Sequence, residues 1–130
     1  MGVGKTSVTN LISKSLSFKS IDLDHEIQQV HGDITSIFNS SGESYFRKLE
    51  YNIFETMINT PAAVIATGGG IVTYQPSFDL LKSMSHVIWL KARFETIQSR
   101  IMNDKQTRRP LADKHLKDRY LSRQPLYELS

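Results

Sequence analysis

Residues 62–70 read AAVIATGGG, and this stretch decides the fold class. Its five consecutive apolar residues have the length of one β-strand, and a run without polar alternation is typical of a strand buried on both faces of a parallel sheet. Three successive glycines then allow the backbone to approach a ligand closely at the carboxyl end of that strand. A simple tight turn seldom needs three glycines, so the stretch predicts a ligand site at the edge of a parallel sheet.

Helical and extended segments alternate on both sides of this stretch. The spacing of apolar residues predicts helices over residues 5–16, before Gly32, between Gly42 and Asn59, and over 76–84 and 94–102, with strands within 18–23 and at 86–90. This alternation predicts an α/β fold, a parallel sheet with helices on both faces, in one domain over residues 1–130. The polar residues 103–117 differ from the rest, and we expect them to form a mobile lid over a site.

The composition excludes several other classes of protein. The chain has 130 residues, a formal charge of +3 and no cysteine, which excludes disulfides and thiolate metal sites. No apolar run is long enough to span a bilayer, and the basic residues do not form the dense runs of a nucleic-acid-binding tail. We expect a cytoplasmic protein with a small anionic ligand and with no nucleic-acid or membrane partner, and we take it to be a monomer.

A glycine-rich segment, GVGKT at residues 2–6, leads directly into the first predicted helix. Glycines allow backbone N–H groups to reach phosphate oxygens, and the helix N-terminus adds a partial positive charge. Lys5 can contact the outer phosphates, and the Thr6 hydroxyl can ligate Mg²⁺. The segment is the second half of a phosphate-binding loop, and the alternative is a flexible N-terminus that caps a helix.

Two aspartates lie at the end of the first predicted strand. Asp22 and Asp24 flank Leu23, so strand alternation points both carboxylates to one side. In a phosphoryl-transfer enzyme one such group holds Mg²⁺ through its waters, and the other holds or deprotonates the accepting hydroxyl. The alternative is that Asp24 caps the following helix while Asp22 is a solvated turn residue.

Several arginines are candidates for binding anions. Arg47 and Glu50 are three residues apart on the long predicted helix, where pairing would hold the guanidinium in place, although a surface ion pair is the commoner reason for this spacing. Arg109 lies in the predicted lid, and Arg123 follows a short predicted helix. Guanidinium groups suit two-pronged recognition of carboxylate and phosphate, but an arginine taken alone is more often a solvated charge.

Six signatures follow one another along the chain: GxGKT at 2–6, IDLD at 21–24, GExxFRxxE at 42–50, GGG at 68–70, RPL at 109–111 and RxPLY at 123–127. In this order they resemble the signatures of the shikimate kinases, and the resemblance covers essentially the whole chain. It implies a P-loop fold similar to the nucleoside monophosphate kinases. It also implies transfer of the γ-phosphate of ATP to the 3-hydroxyl of shikimate, a step toward chorismate and the aromatic amino acids.

The resemblance also implies roles for individual residues. ATP would be bound by Gly2, Val3, Gly4, Lys5, Thr6, Ser7, Arg100 and Arg109, and Mg²⁺ by Thr6 and Asp22. Shikimate would be bound by Asp24, Arg47, Gly68, Gly69, Gly70 and Arg123. Lys5, Asp24 and Arg109 would be the catalytic residues, and Glu50 would orient Arg47.

Members of this family have additional elements at both ends. They begin with a strand and an earlier glycine before the position of Val3, and they continue past Glu128 into a final strand and helix. We therefore expect that this chain lacks the central strand beside the phosphate loop, which would leave backbone groups of neighbouring strands unpaired. The alternatives are another small-molecule P-loop kinase, for gluconate or a nucleoside monophosphate, and a non-catalytic remnant that still binds a nucleotide.

Overall fold

The computed structural model describes residues 2–103 and 115–130. Its helices and strands, in chain order, are α1 (Lys5–Leu16), β1 (Lys19–Asp22), α2 (Leu23–His31), α3 (Ile34–Met57), β2 (Ala63–Ala66), α4 (Gln75–Ser83), α5 (Phe94–Asn103) and α6 (Leu116–Glu128). A short 3₁₀ helix, Ile71–Thr73, follows the glycines at the end of β2. Among the helices in the described part of the chain, none is long and apolar enough to cross a bilayer.

The sheet has two parallel strands in the described residues. Lys19 lies opposite Ala63 and Asp22 lies opposite Ala66, so both strands end at the same edge. The segments that follow, the start of α2 and the triple glycine, therefore lie side by side at the carboxyl ends of the strands. This is the edge at which α/β proteins place their ligands.

The main apolar cluster lies between α2, α3 and α4. Leu23 and Ile27 of α2 and Phe54 of α3 are almost completely buried in it. The apolar residues whose spacing predicted this helix face the cluster, since Phe46 and Leu49 are buried in it and Ile53 and Met57 pack against it. Helix α1 packs on both strands outside this cluster. The predicted class, a parallel sheet with packed helices, is confirmed.

Three details of the predicted secondary structure are wrong. Helix α3 begins at Ile34, capped by Asp33, and its backbone breaks at Gly42 with φ 79°, so the segment before Gly42 is also helical. Arg123 lies inside α6 and does not follow it. Residues 86–90 form no strand. Within the described residues β1 and β2 pair with each other, and neither pairs with this segment.

A groove of about 660 Å³ lies beside β2. It is lined by residues from α1, β2 and the extended segment 85–92, most of them apolar, including Val8, Val64, Ile65, Val87 and Ile88. The edge of β2 that is not paired with β1 therefore lies next to apolar space. The expected absence of a central strand stays a prediction. The predicted lid lies mainly outside the described residues, although Asn103 belongs to α5 and Lys117 to α6.

The α2–α3–α4 cluster gives a direct test of this packing. Phe54 is 1% exposed, so we expect Phe54→Ala to lower the free energy of unfolding by about 3–5 kcal/mol through lost burial and a cavity. Tyr45→Ala on the same helix removes an aromatic ring that is 51% exposed, and it should cost no more than about 0.5 kcal/mol. Urea unfolding of both variants measures the difference, and equal losses would contradict this assignment of the core.

Candidate active site

The phosphate-binding segment runs into the N-terminus of α1. Gly4 is the N-cap and has φ 97°, a left-handed conformation that favours glycine, and it provides no side chain to cap the first turn. The N-terminus of α1 therefore has the backbone geometry and partial positive charge that suit a phosphate group. Lys5 is half-buried at the first helical position, and Thr6 and Ser7 follow it on the exposed first turn.

Helix α5 packs against this segment. Arg100 Nη1 donates hydrogen bonds to the carbonyl oxygens of Gly2 and Val3, both at 3.2 Å. A side chain at Gly2 would approach the Ile97 carbonyl oxygen to 3.1 Å, so α5 and the segment are closely packed. Arg100 thus lies at the predicted nucleotide site, where it contacts the backbone of the loop. Its part in binding ATP, which the resemblance implies, stays a prediction.

The two predicted metal-binding side chains contact each other. The Thr6 hydroxyl donates to Asp22 Oδ2 at 3.3 Å, while Asp22 Oδ1 accepts from the backbone N–H groups of Asp24 at 3.1 Å and His25 at 3.3 Å. Asp22 is therefore the N-cap of α2, and the cap that the sequence analysis considered for Asp24 belongs to Asp22. One carboxylate both fixes the start of α2 and holds an oxygen beside the first turn of α1.

The prediction that Asp24 continues the first strand is wrong. Strand β1 ends at Asp22 and Asp24 lies in the first turn of α2, because the Asp22 cap starts the helix at Leu23. Asp24 consequently lies near Gly68. A side chain at Gly68 would lie 3.1 Å from Asp24 Oδ1 and 2.7 Å from Glu50 Oε1, so two carboxylates converge on the first glycine of the triplet.

Arg47 is held by two glutamates on α3. Its Nη1 donates to Glu50 Oε2 at 2.7 Å, and its Nη2 and Nε donate to Glu43 Oε1 at 2.9 and 3.3 Å. The Arg47 and Glu50 side chains are 8% and 0% exposed, whereas Glu43 is 51% exposed. The predicted pair of Arg47 and Glu50 is thus a buried ion pair and not the surface pair that its spacing also allowed.

Burial shifts the pKa values of this pair. It raises the pKa of Glu50 and outweighs the opposing charge of Arg47. Burial alone would lower the pKa of Arg47, but the charges of Glu50 and Glu43 and their hydrogen bonds raise it overall. The guanidinium therefore stays charged. Glu50 Oε1 is buried and has no hydrogen-bond partner among the described residues.

The triple glycine provides the space that Arg47 occupies. A side chain at Gly70 would overlap the Arg47 guanidinium and lie 2.7 Å from its Nη1, although the Gly70 backbone itself, φ −102° and ψ −1°, suits any residue. The need for glycine here is steric, and the neighbour is the Arg47 side chain; the predicted approach of this backbone to a ligand stays a prediction.

Helix α6 contacts the triple glycine through Tyr127. The Tyr127 hydroxyl donates to the carbonyl oxygen of Gly69, and its ring stacks on Trp89 with the ring centroids 5.6 Å apart. Burial raises the pKa of Tyr127 and lowers that of Arg123, whose charge also interacts with Tyr127, Arg47 and Glu43. The charges of Arg123 and Arg47 thus interact, and the joint binding role that the resemblance implies for them stays a prediction.

Sequence reasoning missed two residues of this site. Glu43 lies four residues before Arg47, a spacing at which helical side chains pair, and that spacing could have revealed it. Tyr127 ends the RxPLY signature but received no role, since its partner Gly69 is distant in the chain. Arg109, predicted in the lid, lies outside the described residues.

The fold and site define a P-loop kinase, in which a phosphate-binding helix N-terminus lies beside carboxylates and paired arginines at the edge of a parallel sheet. A family model described as shikimate kinase matches residues 1–130. The chain is 40% identical to a shikimate kinase of Macrococcus caseolyticus, over 98% of this chain and 77% of that protein. The chain belongs to the shikimate kinase family, and the predicted enzyme class, an ATP-dependent kinase, is confirmed.

Solved structures agree with this assignment. A shikimate kinase from Acinetobacter baumannii in complex with shikimate superposes with a TM-score of 0.88 at 34% identity, over 99% of this chain and 74% of that one. A shikimate kinase from Aquifex aeolicus gives a TM-score of 0.84 at 31% identity, over 100% of this chain and 79% of that one.

The contact between Gly70 and Arg47 can be tested by a double-mutant cycle. We expect Gly70→Ala to lower the free energy of unfolding by about 1–3 kcal/mol, because the added methyl group displaces a buried guanidinium. In a background with Arg47→Leu and Glu50→Leu, which replaces the ion pair with shorter apolar side chains, the same change should cost less than about 0.5 kcal/mol. Chemical denaturation measures all four proteins, and an equal cost in both backgrounds would contradict the contact.

Proposed function

We propose that this chain transfers the γ-phosphate of ATP to the 3-hydroxyl of shikimate, giving ADP and shikimate 3-phosphate. The observation that carries this proposal is the buried guanidinium of Arg47, held by Glu50 against Gly70 at the sheet edge that also contains the phosphate-binding segment. A fixed guanidinium near Arg123 suits a carboxylate-bearing acceptor. The likeness to a solved shikimate kinase in complex with shikimate supports the choice of acceptor.

The acceptor would be oriented between two sets of groups. Arg47 and Arg123 would bind its carboxylate, while Asp24 and the backbone of the triple glycine would bind its hydroxyls. Asp24 Oδ1 lies beside Gly68, and this carboxylate would position the accepting hydroxyl or take its proton. Tyr127 would fix the Gly69 carbonyl and so the position of the glycine backbone.

The nucleotide would bind at the N-terminus of α1. Gly2, Val3, Gly4 and Ser7 would contribute to the phosphate site, with Lys5 on the outer phosphates. Phosphoryl transfer requires mainly the positioning of the phosphates and the neutralisation of their charge, and Lys5 would supply both. Arg109 of the predicted lid would neutralise charge on the transferring group.

Thr6 and Asp22 suit Mg²⁺, because their oxygens are already within 3.3 Å of each other beside the phosphate site. Mg²⁺ prefers oxygen ligands and usually keeps several waters, so one hydroxyl and one carboxylate are an adequate protein contribution. When bound, the ion would neutralise phosphate charge. We also propose that the protein acts as a cytoplasmic monomer, without nucleic-acid or membrane partners.

The function is tested by shikimate-dependent release of ADP from the purified chain with ATP and Mg²⁺, once circular dichroism shows that it is folded. We expect turnover, with Lys5→Ala lowering kcat by at least about 100-fold through loss of phosphate charge stabilisation. Arg47→Ala should raise KM for shikimate about 10- to 100-fold while KM for ATP stays unchanged. Lys14→Ala removes an exposed lysine from the same helix as Lys5 and serves as the matched control.

Two outcomes would contradict this function. Turnover of gluconate or a nucleoside monophosphate without turnover of shikimate would indicate another small-molecule kinase. Binding of ATP by a folded chain that releases no ADP with any of these acceptors would indicate a non-catalytic nucleotide-binding protein.

The metal role of Asp22 has its own test. Asp22→Asn keeps a side chain that caps helices as well as Asp does but removes the carboxylate charge. We expect the Mg²⁺ concentration for half-maximal activity to rise about 10-fold, with little change in thermal stability. Asp33→Asn, the same change at the N-cap of α3, is the control. An unchanged Mg²⁺ requirement in Asp22→Asn would rule out the metal role.

A further inference from the structure

Glu43 contacts the edge of Arg47 that is best suited to a carboxylate. One edge of the guanidinium, formed by Nε and Nη2, faces a single oxygen of Glu43, while Glu50 uses only Nη1. A carboxylate can accept from the Nε and Nη2 donors with both of its oxygens in parallel. Glu43 makes this contact with one oxygen at unequal distances of 3.3 and 2.9 Å, so the parallel arrangement is not used.

Glu43 and Glu50 differ in their freedom to move. Glu50 is completely buried, and turning it away from Arg47 would leave a buried charge unpaired. Glu43 is 51% exposed and lies directly after the backbone break at Gly42, so its carboxylate can turn into water at small cost. Glu50 therefore fixes Arg47, whereas the contact of Glu43 is exchangeable.

Glu43 already partly neutralises the charge that a ligand carboxylate would meet. Its carboxylate pairs with Arg47, and its charge also interacts with that of Arg123. A ligand carboxylate that binds the Nε and Nη2 edge of Arg47 therefore meets the Glu43 carboxylate as a like charge.

We propose that Glu43 competes with the carboxylate of shikimate for the Nε and Nη2 edge of Arg47, so that Glu43 sets the affinity and the selectivity for an anionic acceptor. This inference rests on the proposed function, which makes shikimate the ligand. An acceptor without a carboxylate does not displace Glu43 from its ion pair, whereas shikimate replaces it with a two-oxygen contact.

The test is calorimetric titration of shikimate into the wild-type chain and into Glu43→Gln. Because the competing charge is lost, we expect Glu43→Gln to lower Kd for shikimate about three- to fivefold, the size of a half-exposed ion pair. The amide of shikimate, which lacks the carboxylate charge, should bind both proteins equally. Glu55→Gln is the matched control, since it removes an exposed carboxylate from the same helix, where Glu55 contacts Tyr51.

Every outcome decides the proposal. Tighter binding of shikimate alone to Glu43→Gln supports it, as does binding that appears only in that variant. Unchanged or weaker binding overturns it and leaves the proposed function intact if the wild-type chain binds shikimate. Equal tightening for shikimate and its amide also overturns it, and absence of shikimate binding in both proteins overturns both proposals. Glu43→Ala repeats the test, with the same direction expected, should the Gln variant be poorly folded.

Discussion

The buried ion pair of Arg47 and Glu50 is the interaction on which the site depends. Glu50 is completely buried, and its pKa is raised above the ordinary value, so the folded chain binds a proton at Glu50 more tightly than the unfolded chain does. Its contribution to stability is therefore present below the unfolded pKa and is lost as the pH rises through the folded pKa. A buried ion pair is a weak source of net stability, and the value of this one lies in the fixed position of the Arg47 guanidinium.

Other features of the fold follow from that position. The guanidinium requires the space that Gly70 leaves, and Gly70 is the last of the three glycines that come shortly after β2. Tyr127 of α6 binds the adjacent Gly69, which ties the last described helix to the same loop. Two carboxylates, those of Asp24 and Glu50, meet at Gly68. The triple glycine is thus the point where side chains from α2, α3 and α6 reach one backbone segment.

The sequence predicted well those parts that local interactions determine. Helix α1 has the predicted bounds because its apolar spacing and its start at Gly4 are both local signals, and the pair of Arg47 and Glu50 follows from spacing along one helix. The alternation of side chains along a strand places Asp24 wrongly, since Asp22 caps α2 and the helix begins at Leu23. The contact of Tyr127 with Gly69 joins residues that are 58 positions apart, and spacing in one sequence carries no signal for it.

Residues 86–90 were predicted to form a strand, but within the described residues they pair with neither β1 nor β2. Their composition, HVIWL, suits a strand, but a strand exists only if a neighbour supplies backbone partners. Strand β2 lines the groove together with this segment without pairing to it. Trp89 is instead held by stacking on Tyr127, so the segment is placed by side-chain packing on α6. The β-propensity of a segment thus describes how well its side chains suit a sheet. Whether the segment forms a strand also depends on a neighbouring strand that can pair with its backbone.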